Sequence, residues 1–372
     1  MGGWYGSGVT PPAHAEAVAV RADDASVAEE ITEPVLTGRL RSRRTVVSIV
    51  LTVSLLGVVF WRAGIDWHAT WNDIRRANLG LWLAAAAAYY LAMAARTLRW
   101  QLLLRNTGED HPIRPLGEIL MASFFVNCVV PAKLGDLYRA LQLRSRRGAR
   151  GGNAFGTLIA ERLIDLFTLM TLLVLAGVVS FHNSVPSELV PGLIAGGVLC
   201  LVGGGLLVVL ASGRGARVLA RLPERMVERY EHFRVGTIGA FGRWPEVLPL
   251  SLVVWGLEGV RLGLVIAALG LAGAVGPAHF LLVALVAALL TTVPFLPGGL
   301  GLVETGIVAV LAQTAPVSRQ QATSIALLDR SISFGTLILV GGVFFLLLQA
   351  RPVATPLRPS GAVAPAAGPP AV

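Results

Sequence analysis

"VPAKLGDLYRA", residues 130–140, follows an apolar run, and "PFLPGGLGLVE", residues 294–304, repeats its outline further along the chain. Each ends a hydrophobic segment with a proline, places a glycine four residues later (Pro131 to Gly135, Pro297 to Gly301), and then presents charge. The first holds Lys133, the only lysine among 372 residues, with Asp136 and Arg139; the second ends on Glu304. In water such a step is an ordinary helix stop. In a bilayer the freed amides and carbonyls must find partners inside protein or face a water-filled cavity. The surroundings of these two steps therefore decide the fold.

Composition supplies the surroundings. The chain is 54% hydrophobic and 14% charged, with a mean hydropathy of +0.68, whereas soluble domains carry about 25% charge. Apolar runs of roughly 20 residues read as membrane spans, and six stand at about 45–61, 79–97, 154–180, 189–211, 246–270 and 322–349. Two further stretches, about 116–131 and 279–313, contain the Pro-Gly steps, and the first is short for a full crossing. The expectation is an all-α polytopic membrane protein with about six full spans and two broken, re-entrant helical hairpins. Residues 1–37 show no sustained apolar pattern and are expected to be a disordered cytoplasmic segment, since the first apolar run begins too late for a secretory signal. Residues 38–350 form the membrane domain, and the Pro/Ala-rich 351–372 is expected to be an unstructured tail.

The formal charge of +9 resides largely in clusters between apolar runs: "RLRSRR" at 39–44, "RSRRGAR" at 144–150 and the arginine-rich 214–234. The alternate loops "FHNSVPSE" and "AGAVGP" hold neither Lys nor Arg, although 62–78, with Arg62, Arg75 and Arg76, is less clean. That asymmetry is the positive-inside bias, which places both termini in the cytoplasm of a cell (plasma) membrane protein. It also accounts for the basic balance without nucleic acid, for which no basic, aromatic-interleaved soluble module is present. The 214–234 pattern suits either an amphipathic helix on the inner leaflet or a solvated connecting helix. Cys128 and Cys200 lie in apolar segments without a CxxC partner and read as buried thiols. The six histidines lack metal-ligand spacing, so neither metal nor cofactor is expected. The near-exclusive use of arginine, with abundant Ala and Gly, points to a GC-rich bacterial genome.

The Pro-Gly steps sit inside larger matching units. Arg96 precedes Pro131 by 35 residues, and Pro131 precedes Arg162 of the Glu161-Arg162 pair by 31. Arg261 precedes Pro297 by 36, and Pro297 precedes Arg330 of Asp329-Arg330 by 33. Loop charges give the two units opposite orientation, an inverted repeat of the kind in which broken helices meet near the membrane midplane. A broken helix end with cations beside it can hold an anion. Lys133 and Arg139 are then expected to flank an inner opening and Glu304 an outer one.

Charges within apolar stretches need a reason, because each costs about 2.5–3.5 kcal/mol at a helix centre on insertion scales. Glu161, Arg162, Asp165, Glu258, Arg261, Glu304, Asp329 and Arg330 all qualify. Two readings are open: they pair to lock helices together, or they line a polar route. Glu258 and Arg261 are spaced for a local ion pair, while Glu161 and Asp165 share a face and repel unless a cation or proton intervenes. Arg96 and Arg99 share a face beside Trp100, as a topology signal with an aromatic belt or as a fork for a lipid phosphate.

"RTLRW", "NCVVPAKLGDLYRA", "ERLIDL", "PFLPGGLGLVETG" and "ALLDRSISF", in that order, resemble the flippase-like family, also called the lysylphosphatidylglycerol synthase transmembrane-region family. The resemblance covers about residues 45–350, and Pro297 to Glu304 is its most specific element. It assigns family positions to Arg96, Arg99, Asn127, Pro131, Gly135, Arg139, Glu161 and Arg162 in the first unit. In the second it assigns Pro297, Gly298, Gly299, Gly301, Glu304, Asp329 and Arg330. Lys133 departs from it, standing where many members are expected to hold arginine, so the charge is kept and the bidentate fork is lost. The best-understood relatives fuse this region to a soluble aminoacyltransferase domain, for which this chain has no room after its last span. The resemblance therefore implies lipid handling by a stand-alone member, without synthesis of lysylphosphatidylglycerol.

Three functions follow as expectations. The first is a lipid translocase, not an enzyme, moving an anionic or aminoacylated phospholipid or a polyprenyl-linked lipid; with no G-x-x-x-x-G-K-[ST] motif, movement would be gradient-driven or downhill. Asn127, Lys133, Asp136, Arg139, Glu304 and the acid-arginine pairs would line its path. The second is a membrane transferase acting on a lipid carrier, and the third an accessory or scaffold subunit for a separate lipid-modifying enzyme. Partners are membrane lipids, with the oligomeric state open.

Overall fold

The computed structural model describes residues 67–130, 133–149, 151–181, 190–212, 224–292 and 296–351. The expected span at 45–61, the 1–37 segment, nearly all of 351–372, the "RLRSRR" cluster and Pro131 lie outside the described residues.

The described chain is helical without a strand. In order come α1 (Trp67–Arg76), α2 (Leu79–Asn106), α3 (Ile113–Val129), α4 (Leu134–Arg147), α5 (Gly151–Phe181) and α6 (Val190–Ala211). Then follow α7 (Glu224–Ala240), α8 (Trp244–Ala268), α9 (Pro277–Thr291), α10 (Leu302–Thr314), α11 (Arg319–Arg330) and α12 (Leu337–Ala350). A π-helical turn, Ser331–Thr336, joins the last two. Among the described residues, five helical segments are long and apolar enough to cross a membrane: Leu79–Asn106, Gly151–Phe181, Gly192–Ala211, Tyr230–Ala268 and Arg319–Ala350. Each of the expected spans that falls on described residues coincides with one of them. The protein is an all-α multi-pass membrane protein.

α2 runs nine residues beyond the expected 97, ending at Asn106. Its start is fixed by Asn78, whose Oδ1 accepts from the Leu81 amide at 3.1 Å, a helix N-cap. An alanine run then supplies the best helix former. The helix stops where Gly108 takes a φ of +82°.

Packing follows the two units. α2 lies along α8, the two spans that carry the first arginines. The first hairpin's opening arm, α3, packs against α12, while the second hairpin's opening arm, α9, packs against α5. Each unit thus lends its first hairpin arm to the other unit's acid-arginine span. Around this seam the buried core is continuous, running from Tyr89 and Met93 through Leu120 and Val126 to Leu285 and Ile332. The stretch 214–234 is described from Glu224 onward, as part of α7. α7 packs along α5, with the Phe155 and Phe233 rings 6.1 Å apart, so it belongs to the bundle.

Candidate functional site

The two Pro-Gly steps are true helix breaks, built differently. At the first, α3 ends at Val129 and α4 begins at Leu134. The Gly135 amide donates to Asn127 Oδ1 at 2.8 Å, closing the turn with a side chain from the helix it leaves. A Cβ on Gly135 would lie 2.0 Å from the Ser123 carbonyl oxygen, so only glycine lets the two arms meet. Lys133 occupies the corner at φ 51°, ψ 38°, the only described non-glycine residue with positive φ. At the second break, Pro297–Gly299 form a short 3-10 turn and Gly298 and Gly301 take φ of 56° and 82°. The Gly301 amide donates to Glu304 Oε2 at 2.6 Å, so Glu304 caps α10 from within.

Between the breaks the apolar helices carry a connected set of ion pairs. In the first unit Arg99 reaches Asp165 at 2.7 Å and Glu161 at 3.2 Å, and also donates to Ser251 Oγ at 3.0 Å. It is the cation that lets two acids share one helix face. Glu161 also takes Arg139 at 2.7 Å. Arg162 grips Asp136 through Nε at 3.1 Å and Nη2 at 2.9 Å. In the second unit Glu258 binds Arg96 at 2.7 Å and Arg261 at 3.2 Å, and Arg261 lies 3.2 Å from Asp329. Arg330 donates to Glu304 at 2.7 Å and to the Gly298 carbonyl at 2.8 Å.

The same connections occur in both units. The acid of each acid-arginine pair meets an arginine of the preceding span, Glu161 with Arg99 and Asp329 with Arg261. Its arginine meets the acid just after the break, Arg162 with Asp136 and Arg330 with Glu304. By contact, then, Arg99 is the counterpart of Arg261, whereas the sequence spacing had aligned Arg96 with it.

A cavity of about 490 Å³ lies between the breaks. Its charged wall comprises Arg96, Lys133, Arg162, Arg261 and Arg330 against Asp136, Asp165, Glu258 and Asp329, with Asn127 and Gly298 beside them. Aromatic faces support the cations: Trp255 and Phe124 lie 5.4 and 5.9 Å from Arg96, Tyr89 5.5 Å from Arg261 and Phe334 5.0 Å from Arg330. Lys133 differs from the rest, because it makes no hydrogen bond or ion pair among the described residues. Seven cations of the network face six carboxylates, and each carboxylate is held by an arginine. The odd charge is Lys133.

Three sequence expectations change here. Arg139 does not flank an opening: it is fully buried, with its guanidinium 3.8 Å from the centre of the Trp100 ring. Its Nε and Nη1 have no hydrogen-bond acceptor and lie over that ring instead. Trp100, equally buried, belongs to no aromatic belt, and Arg96 and Arg99 are buried and ion-paired where a boundary role would expose them. Glu304 sits behind Arg330 and is 5% exposed, so it is a helix cap and counter-ion and lies off the cavity surface. Ser251, Tyr89 and Trp255 were missed, since a serine or an aromatic in an apolar span gives no sequence signal of a charged neighbour. Nor did any pattern foretell the π turn after Arg330, where Tyr90 donates to Thr336 at 2.8 Å and Trp82 to Ser331 at 3.0 Å. Cys128 is buried and Cys200 partly so, both free thiols.

Comparison with known proteins follows the same lines. The lysylphosphatidylglycerol synthase TM region matches residues 45–341, a range that holds both breaks and every ion pair above. A UPF0104 membrane protein of Methanocaldococcus jannaschii is 26% identical over 60% of this chain and 94% of its own length. Another, from Methanothermobacter thermautotrophicus, is 28% identical over 73% of this chain and 86% of that protein. Glycosyltransferase AglD of Haloferax volcanii is 27% identical over 81% of this chain, which spans only 54% of that protein. On the extent of that match, the chain belongs to the lysylphosphatidylglycerol synthase TM region family.

Proposed function

We propose that this protein moves an amphiphilic, anionic lipid between the leaflets of the cell membrane, its headgroup passing through the cavity between the two breaks. The observation that carries this reading is Lys133. It lines the cavity as the one cation of the network with no hydrogen bond or ion pair among the described residues, while every carboxylate there is ion-paired with an arginine. A headgroup phosphate would complete the charge balance, and burial of an unpaired charge is otherwise costly. The matching ion pairs of the two units support an inverted repeat, in which the breaks exchange access to the two membrane faces. The basic loops between the spans support cytoplasmic termini.

A second reading is favoured by one relative, the Haloferax volcanii protein named as a glycosyltransferase. A lipid-carrier transferase would use the same cavity for a polyprenyl phosphate. Its usual need for free carboxylates that hold a metal sits poorly with six acids that are each clasped by arginine.

The test is transbilayer movement of a fluorescent phosphatidylglycerol in vesicles containing the purified protein, read by quenching of the outer leaflet. Wild type should expose the inner pool and Lys133→Ala should slow that exposure, at equal protein content. Rates equal to protein-free vesicles would sink the translocase. Metal-dependent sugar transfer to a lipid phosphate would put the second reading in its place.

A further inference from the structure

The cavity wall has a second half that the charged network leaves unused. Beside the charged groups it is lined by Leu166 and Leu169 of α5, one turn on from Arg162 and Asp165, by Leu199 of α6, and by Ala284, Ala287 and Ala288 of α9. The hydroxyls of Thr291 and Thr292 follow the alanines at the end of α9 and border this apolar set. α5 packs against both α6 and α9, so it forms the floor of a groove whose sides are the other two helices. Leu199 is at once a lining residue and 47% exposed on the outside of the bundle. Among the described residues α6 is the least covered of the candidate spans, with 17% of its most apolar stretch buried. The cavity therefore reaches the lipid-facing surface on its apolar side.

The opposite seam is shut. There α3 meets α12, with the Phe125 and Phe345 rings 5.3 Å apart and Tyr138 5.6 Å from Phe345.

We propose that the groove between α6 and α9, floored by Leu166 and Leu169, is an acyl-chain portal. It holds the tail of the same lipid whose headgroup lies at the charged wall, and it passes that tail to the bilayer past Leu199. The inference rests on the lipid-translocation reading above. A volume near 490 Å³ lies within the roughly 300–1,000 Å³ range of small-ligand sites. That space takes a polar headgroup but not a whole two-tailed lipid, so the tails must leave by a wall that costs them nothing. Only the apolar side meets that condition, since water-free contact of hydrocarbon with ion pairs is unfavourable. The occupant is thus fixed by continuity: one cavity with one charged and one apolar half fits one amphiphile.

The experiment uses the full chain in vesicles with a phosphatidylglycerol that carries a photoreactive diazirine in its acyl chain. Residue-resolved mass spectrometry then maps the crosslinks. Labels should concentrate on Leu166, Leu169, Leu199 and Ala287, above Leu201 and Leu339, which are 78% and 71% exposed but do not line the cavity. Leu199→Trp should lower the labelling of Leu166 and Leu169 several-fold while that of Leu339 stays. Labelling that simply follows outside exposure, strongest at Leu201 and Leu339, overturns the portal. The Lys133→Ala variant separates the two readings. Groove labelling that falls with it supports tail and headgroup together. Groove labelling at wild-type strength keeps the portal and removes Lys133 as the anchor.

Discussion

Arg162 holds Asp136 across the first helix break with two hydrogen bonds, and 168 residues further on Arg330 holds Glu304 across the second; both partners lie 26 residues apart. In each unit an arginine from a long span reaches back to an acid that follows a glycine-built corner. The pair ties the end of a broken hairpin to the span after it, so the corner cannot swing away without parting two charges. In the first unit both partners line the cavity and are partly exposed, and in the second only Arg330 reaches the wall, with Arg330 10% and Glu304 6% exposed by side chain.

That difference sets a prediction for the second pair. Removing one partner of a buried ion pair leaves the other uncompensated, at about 3–5 kcal/mol. Arg330→Gln strands Glu304, which still caps the Gly301 amide, and Glu304→Gln strands Arg330. Each single substitution should lower thermal stability in detergent strongly, and the double substitution by less than the sum. Simple additivity of the two losses would show that the pair is not coupled.

Arg139 gives a second prediction, against its expectation from sequence. Because it stacks on Trp100 and pairs with Glu161, both buried, Arg139→Ala opens a hole in the wall behind the cavity. The expected outcome is a large drop in melting temperature or in membrane-inserted protein, with no change in which headgroup is preferred by the protein that remains. A stable Arg139→Ala protein with altered lipid preference would return this residue to the transport path.

How much of this was legible in the chain can be judged at the same residues. The spans were, because hydropathy in a bilayer is dictated by length and transfer energy. The breaks were, because proline and glycine act locally. The partners were not. Glu258 and Arg261 could be paired from i,i+3 spacing, but Arg96 with Glu258 is a contact over 162 residues that depends on how α2 lies along α8. For the same reason Arg99 read as a boundary residue and Arg139 as a flank of the inner opening: sequence gives their type and depth, and only packing shows that acids wait on the neighbouring helix.

The first break depends on Gly135 in a way that yields a third prediction. Its backbone passes the Ser123 carbonyl and the Asn127 side chain too closely for any Cβ, at 2.0 and 2.6 Å. Gly135→Ala must push α4 off α3, which also displaces Asp136 from Arg162. Protein carrying it should be degraded or should lose the cooperative unfolding transition, whereas Gly108→Ala should remain foldable. Gly108 has positive φ but open space around it, so its cost is limited to about 1–2 kcal/mol of backbone strain. Equal behaviour of the two variants would mean that the close approach does not govern the break.

Lys133 allows stability and function to be read apart. The residue breaks no ion pair when lost, and its left-handed backbone is a conformation that a lysine adopts at a cost of about 1–2 kcal/mol. Lys133→Ala keeps that strain and removes an unpaired charge, so its melting temperature should be no lower than wild type. Lys133→Gly relieves the strain while loosening the unfolded chain, two effects of about 1 kcal/mol that oppose each other; it should be no less stable than wild type. Both should lose lipid movement in vesicles, and Lys133→Arg should keep it, because the cavity needs a cation at this corner and carries none to spare. A Lys133→Gly protein that is stable and fully active would deny the lysine any role with a headgroup. Loss of movement in all three variants at unchanged stability would instead say that the ammonium, with its single compact charge, is what the headgroup requires.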